Sequence, residues 1–280
     1  MKLKNYLFAV LSIAITSAFF SCKKDGSKGT SNEIAATIEL SGDQAISDNT
    51  NADAEYILNE AAVNNNFAGN TPTGITSTLN ILDCPIFTVS TGAFPKTISI
   101  DFAGGCISNG ITRSGVINIV LSDSLRKSGS VATMTFDNYY VDGFKKEGTI
   151  TWTNTSQPGT KSWTRQCTDG KITAPGGRFW LHNGTQTVVQ TEGISTPFNL
   201  LDDVFTTTGT ATVTNSAGVS RTAEITSALE KKVLCDNIDK GTIKISGPNH
   251  YAIIDYGDGS CDHEATISVD GSNPVTFLLR

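Results

Sequence analysis

Thr210-Ala211-Thr212-Val213-Thr214 alternates a hydroxyl with an apolar side chain at every step, and a period of two is that of a strand with one face in water. The same alternation runs through Thr97-Ile98-Ser99-Ile100-Asp101-Phe102, Val116-Ile117-Asn118-Ile119 and Thr149-Ile150-Thr151-Trp152-Thr153. Thr and Ser fill most of the polar positions, and β-branched Thr suits a pleated, solvated surface. Breakers punctuate these runs, among them Asp142-Gly143, Pro158-Gly159, Asp169-Gly170, Asn183-Gly184 and Asp270-Gly271. Short strands at that rhythm argue for antiparallel sandwich or barrel-like sheets rather than βαβ units. The expected fold class is therefore all-β, with two related β-units at 71–158 and 159–280 and one short N-terminal helix.

The helix is expected within 48–70. Asp48, Asn49 and Thr50 offer N-caps, Asp53 and Glu55 put negative charge in the first turn, and Ala61 and Ala62 favour helix, giving Asn51 to Asn64. Asn64-Asn65-Asn66 and Gly69-Asn70 end it. Residues 22–47 read as a flexible tether, because Lys23 to Ser31 contains no apolar residue.

Residues 1–21 read as a secretory signal, with Lys2 and Lys4 ahead of an uncharged apolar run from Tyr6 to Phe20. That run is short of the ~20 residues a spanning helix needs. Ala18-Phe19-Phe20-Ser21-Cys22 resembles a bacterial lipobox, which implies lipid attachment at Cys22 and makes the membrane a partner through that anchor. Cys22-Lys23-Lys24-Asp25 is similar to the surface-export signal of Bacteroidota lipoproteins, which implies the outer membrane and the cell surface, with the periplasmic face as the alternative. Removing 1–21 takes away two lysines and no acid, moving the side-chain charge from −6 to −8. Such a chain offers no overall basic surface for nucleic acid.

Two segments repeat a theme. Ile98-Ser99-Ile100-Asp101-Phe102-Ala103-Gly104-Gly105-Cys106 and Ala252-Ile253-Ile254-Asp255-Tyr256-Gly257-Asp258-Gly259-Ser260-Cys261 share a strand, an Asp, an aromatic, a Gly-rich turn and a cysteine. Each has an earlier cysteine behind it, so the expected disulfides are Cys84 with Cys106 and Cys235 with Cys261; each loop closure contributes about 3 kcal/mol in the chain-entropy model. Chance similarity of two short turn segments is the alternative account of the repeat. Cys167 is left over, either as a buried inert thiol or as a partner in disulfide exchange or an intermolecular bond.

Ile100-Asp101-Phe102-Ala103-Gly104-Gly105-Cys106, Thr112-Arg113-Ser114-Gly115 and Asp255-Tyr256-Gly257-Asp258-Gly259-Ser260-Cys261-Asp262 together resemble a group of secreted lipoproteins from the Bacteroidota. The resemblance covers most of the chain after Gly74 and implies an all-β fold and lipid anchoring, with no activity to carry over.

Catalytic patterns such as GxSxG, HExxH, Walker A and GxGxxG are absent from the sequence. No cofactor is expected, with Ca²⁺ as the one ion to weigh. Asp255, Asp258, Asp262 and Glu264 on a Gly-containing turn offer oxygen ligands to it, or they are ordinary turn formers. Trp180, with His182 nearby, is the better exposed aromatic for stacking on a glycan, against a core role for both. Asp123-Ser124-Leu125 matches an O-glycosylation tripeptide at Ser124, or a hairpin turn. The expected function is a non-enzymatic binding or structural module contacting a glycan or envelope protein; the alternative is a hydrolase acting on glycans through carboxylates such as Asp255 or Asp258.

Overall fold

The computed structural model describes residues 27–69 and 81–279. A single long helix, α1 (Ser27–Asn64), precedes fourteen strands: β1 (Ile86–Val89), β2 (Lys96–Asp101), β3 (Cys106–Ser108), β4 (Ile111–Leu121), β5 (Val131–Val141), β6 (Phe144–Asn154), β7 (Lys161–Thr173), β8 (Phe179–Glu192), β9 (Val204–Asn215), β10 (Ser220–Lys232), β11 (Lys240–Ser246), β12 (Tyr251–Asp258), β13 (Glu264–Val269) and β14 (Val275–Leu278). All pairings are antiparallel, and neighbours in sequence are neighbours in the sheet except that β2 pairs β4 while the short β3 sits off the path against β4. The expected boundary at 158/159 falls in the turn between β6 and β7, inside one continuous ladder.

The sheet curls around α1 without closing, and β1 and β14 form its two edges. Side chains from β4, β6, β7, β8 and β10 all reach the same helix. From Leu40 to Val63 almost every helical residue is buried, on every side. A helix enclosed all round is ordinarily apolar. This one buries Thr37, Ser41, Asp43, Gln44, Ser47, Asp48, Asn49, Asn51, Asp53, Glu55 and Glu60. Its apolar residues seed the three core clusters: Leu40 packs with Trp180 and Val213, Ala45 with Ile243 and Ile254, and Tyr56, Ile57 and Leu58 with Ile98, Ile117, Trp152 and Trp163.

The helix is longer than expected, taking in most of the segment read as a tether. Asp48, Asn49 and Thr50, which look like caps in sequence, lie mid-helix with their side chains turned to the sheet. Asn49 Oδ1 accepts from Ile238 N–H at 3.0 Å, and Lys146 Nζ reaches Thr50 Oγ1 at 3.2 Å and Asn51 Oδ1 at 2.7 Å. Tertiary pairing, rather than intrinsic propensity, holds this segment helical.

Ion pairs set the grip. Arg113 makes a two-pronged contact with Asp53, and Arg165 Nη1 meets Glu55 Oε2 at 3.1 Å; all four side chains are buried. Burial acts to lower the Arg113 pKa, but Asp53 outweighs it and leaves the guanidinium above its ordinary value. Burial raises the carboxyls of Glu55 and Asp48 against the pull of Arg165.

Coiling of the sheet is written at bulges. The ladder between β4 and β5 shifts register between Ser114 and Val116, and Gly115 at the shift has φ of +84°, where a Cβ would lie 2.0 Å from the Asn138 carbonyl oxygen. A bulge of this kind bends the strand and increases its twist. Both expected disulfides are present, with Cα–Cα separations of 6.1 Å for Cys84–Cys106 and 5.1 Å for Cys235–Cys261, and Cys167 is a buried free thiol donating to the His182 carbonyl at 3.3 Å.

Two alanine substitutions separate these effects. Gly115→Ala forces a side chain into the β5 backbone and is expected to cost about 2 kcal/mol or more. At Gly42, in α1, an added Cβ meets nothing within 4 Å, so Gly42→Ala is expected to stabilise by about 0.5–1 kcal/mol. Urea denaturation of both variants measures the contrast.

Candidate functional site

Trp180 and His182 lie on the inner face of β8, not on an exposed one. Trp180 is fully buried and its indole N–H donates to Ser47 Oγ at 2.9 Å; His182 Nε2 lies 3.3 Å from Gln44 Nε2. Burial, helped by Lys146 and Arg165, pushes the His182 pKa down to about 3, so the ring is neutral. The alternation in β8 is real, but its inner residues, Trp180, His182, Gln186, Val188 and Gln190, are largely polar because the helix they face is polar.

The acidic turn does not gather its carboxylates. Asp255 Oδ1 accepts from Gly257 N–H at 2.9 Å, Asp258 Oδ1 from Ser260 N–H at 3.1 Å and its hydroxyl at 2.8 Å, and Asp262 Oδ1 from Glu264 N–H at 3.0 Å. These are turn-forming bonds of Asx type, made by exposed residues. Among the described residues the one converging set of three ligand-type side chains is Cys235, Asp239 and Cys261, whose sulfurs are spent in the disulfide. Cys22 and the signal lie outside the described residues.

Two small, partly open voids of about 20 and 40 Å³ flank α1 and touch Tyr56 and Lys231. Each is of a size for one or a few waters. The larger spaces are outside the core. A shallow depression of 430 Å³ lies over the threonine-rich outer face, between Gln166, Asn183, Thr185, Thr210 and Thr222.

A more recessed external space is a cleft of 580 Å³ just beyond the end of α1, lined by Gly69, Ser124, Arg126, Lys127, Lys161, Ile194, Pro197 and Phe198. Its walls come from three connections on the same end of the meander. The helix tail fixes the β4–β5 turn: Leu125 N–H donates to the Phe67 carbonyl at 2.8 Å and Arg126 N–H to that of Ala68 at 3.1 Å. Leu125 is buried below, and its carbonyl accepts from Ser130 Oγ and Asn154 Nδ2. The β8–β9 connection is held by its own bonds, Thr196 N–H to the Gly193 carbonyl and Asn199 N–H to that of Thr196, and by buried Leu200.

Arg126 bridges the two walls. Its Nη2 donates to the Pro197 carbonyl and its guanidinium lies 5.8 Å from the Phe198 ring centroid. Nη1 is buried with no hydrogen-bond partner among the described residues. Burial pulls the Arg126 pKa down, opposed by Asp203. Asp203, just before β9, is buried with Oδ1 accepting from Gln190 Nε2 at 2.8 Å, and burial pushes its pKa up to about 7. Lys127 is paired with Asp123, whereas Lys161, half-buried at the start of β7, has no carboxylate partner among the described residues. Ser124 is half-buried beside Gly69, and its N–H is taken by Asp123 Oδ1 at 2.8 Å, a turn contact. Sequence reading finds Ser124 here but misses Arg126, Lys161 and Phe198, since residues on three separate connections share no spacing.

Comparison with protein-family models, with curated proteins and with solved structures returned no match.

Asp203 generates a pH prediction. Its folded pKa is raised, so the neutral acid fits the fold and ionisation opposes it; stability from this group is complete below its unfolded value and is lost as pH rises through about 7. Asp203→Asn is therefore expected to melt above the wild type at pH 8.5, with the advantage shrinking towards pH 5. Thermal melts at the two pH values check it.

Proposed function

We propose that this chain is a lipid-anchored, non-enzymatic binding module of the cell envelope, which holds its ligand cleft away from the membrane that carries it. One observation carries the reading: Cys22 lies five residues before Ser27, where α1 begins, and the cleft is built on the residues that follow the other end of the same helix. Thirty-eight helical residues at a rise of 1.5 Å separate the two by about 57 Å. An acylated Cys22 would then place the β4–β5 and β8–β9 connections at the distal tip, facing outward from an outer membrane.

The outer surface of the sheet suits a body in water. Thr208, Thr210 and Thr212 of β9 are exposed, in place of the apolar band that a membrane-spanning barrel shows to lipid. No helix among the described residues is long and apolar enough to cross a membrane. For the hydrolase reading, Asp255 and Asp258 are on an exposed hairpin engaged by their own turn, and the acid pair Asp48 and Glu55 borders a void of about 20 Å³, too small for a sugar. Binding is what a cleft with cations and an aromatic wall supports.

The anchor is tested by metabolic labelling with an alkynyl fatty acid and by fractionation. The wild-type chain is expected to take the label and to follow the outer membrane, with surface protease reaching it on intact cells; Cys22→Ser is expected to lose the label and appear in the soluble fraction. A Cys22→Ser chain that stays with the membrane, beside an unlabelled wild type, would refute the proposal.

A further inference from the structure

We infer that the cleft at the end of α1 binds an acidic oligosaccharide, with a sugar ring seated on Phe198 and Pro197 and its carboxylate or sulfate held by Arg126 and Lys161. This rests on the binding-module reading and names the ligand class of that site.

The charge balance of the cleft is the first argument. Of its three cations, Lys127 already has Asp123, while Arg126 and Lys161 have no carboxylate within ion-pair distance among the described residues. Arg126 is the unusual one. Its Nη1 is shut away from water, so an anion in the cleft is drawn by the charge of the guanidinium, in a partly buried setting that screens it less than water would. Nη2 is taken by the Pro197 carbonyl, and the group is fixed at the cleft wall by the Phe198 ring and by the backbone bond from Arg126 to Ala68. Such a fixed cation is prepared to receive an anion rather than left to search for one.

Shape and chemistry narrow the class. The volume of 580 Å³ falls in the range of about 300–1,000 Å³ common for small-molecule sites. The lining combines apolar Ile194, Pro197 and Phe198 from the β8–β9 connection with polar Ser124, Lys127 and Lys161 from two others. A sugar ring presents the same pair of surfaces, a C–H face for an aromatic and hydroxyls around the rim. A peptide pairing through its backbone would need free N–H groups on the β8–β9 connection, and those of Thr196 and Asn199 are used within it. A long polyanion such as nucleic acid would need more than two unpaired cations on a chain of charge −6. A headgroup of the anchoring membrane would meet the opposite end of α1.

Calorimetry on the soluble mature chain carrying Cys22→Ser tests this, with trigalacturonate, its carboxyl-reduced form, a chondroitin sulfate tetrasaccharide and sodium sulfate as probes. An acidic saccharide is expected to bind and to weaken as salt rises, and the carboxyl-reduced form to bind at least tenfold more weakly. Lys161→Glu and Arg126→Gln are each expected to lower affinity at least tenfold, and Phe198→Ala to weaken the saccharide without changing sulfate. Melting curves show whether Arg126→Gln is folded; if it is not, Lys161→Glu, at the strand end, decides the charge requirement. Equal affinity for the charged and reduced trisaccharides, binding untouched by Lys161→Glu, or no binding of either acidic saccharide overturns the inference. Sulfate binding as tightly as either saccharide, with no effect of Phe198→Ala, overturns its sugar half. A chain that is acylated and surface-exposed yet binds none of these probes loses this inference and keeps the envelope reading.

Discussion

Everything else in this fold follows from burying a helix that is not apolar. From Leu40 to Val63 the sheet surrounds α1, so its carboxylates, amides and hydroxyls are met from the sheet's inner face, by the helix's own carbonyls as at Ser41 and Ser47, or left desolvated as are Gln44 Oε1, Asn49 Nδ2 and Asn51 Nδ2. The sheet meets many of them with long side chains from five strands: Arg113 on β4 for Asp53, Lys146 on β6 for Asn51, Arg165 on β7 for Glu55, Gln186 on β8 for Asp48, and Arg221 on β10 for Thr37. Removing one member of a buried pair leaves the other charged and alone, at about 3–5 kcal/mol. Such pairs specify register as well as stability, because each fixes one strand at one height along the helix.

That constraint shapes the sheet. To wrap a helix the strands need strong coiling, which the register shifts at Gly115 in β4 and Gly148 in β6 provide. Disulfides then staple loops near both ends of the sheet path, and the last residues before the cleft, Phe67 and Ala68, tie the helix to the β4–β5 turn. The cleft inherits its rigidity from that tie. Unlike Arg113 and Arg165 inside, Arg126 and Lys161 there have no carboxylate within ion-pair distance among the described residues, and this is why they invite a ligand.

Much of the β architecture was legible. Thr210-Ala211-Thr212-Val213-Thr214 is in β9 with Ala211 and Val213 buried and Thr210 and Thr212 exposed, and Ile150 and Trp152 of β6 are buried as their alternation implies. Cysteine spacing led to both disulfides. The helix was half legible, because the rules for finding one rely on an apolar stripe and on Asp, Asn and Thr as caps, and here those residue types are interior contacts. The phase of β8 was lost for the same reason: Trp180 and His182 face a polar partner, so polarity along the strand does not distinguish inside from outside. The cleft was illegible, since Arg126, Lys161 and Phe198 meet only after the meander brings three connections to one end.

α1 is an integral part of the core rather than an arm laid against the sheet. Amide hydrogen exchange measures it directly. Amides from Leu40 to Val63 are expected to exchange as slowly as those of the central strands β7 and β8, and both to accelerate together as denaturant is raised, as for groups that open only with the whole fold. Exchange of the α1 amides orders of magnitude faster than that of β7 and β8, with the sheet still protected, would contradict it.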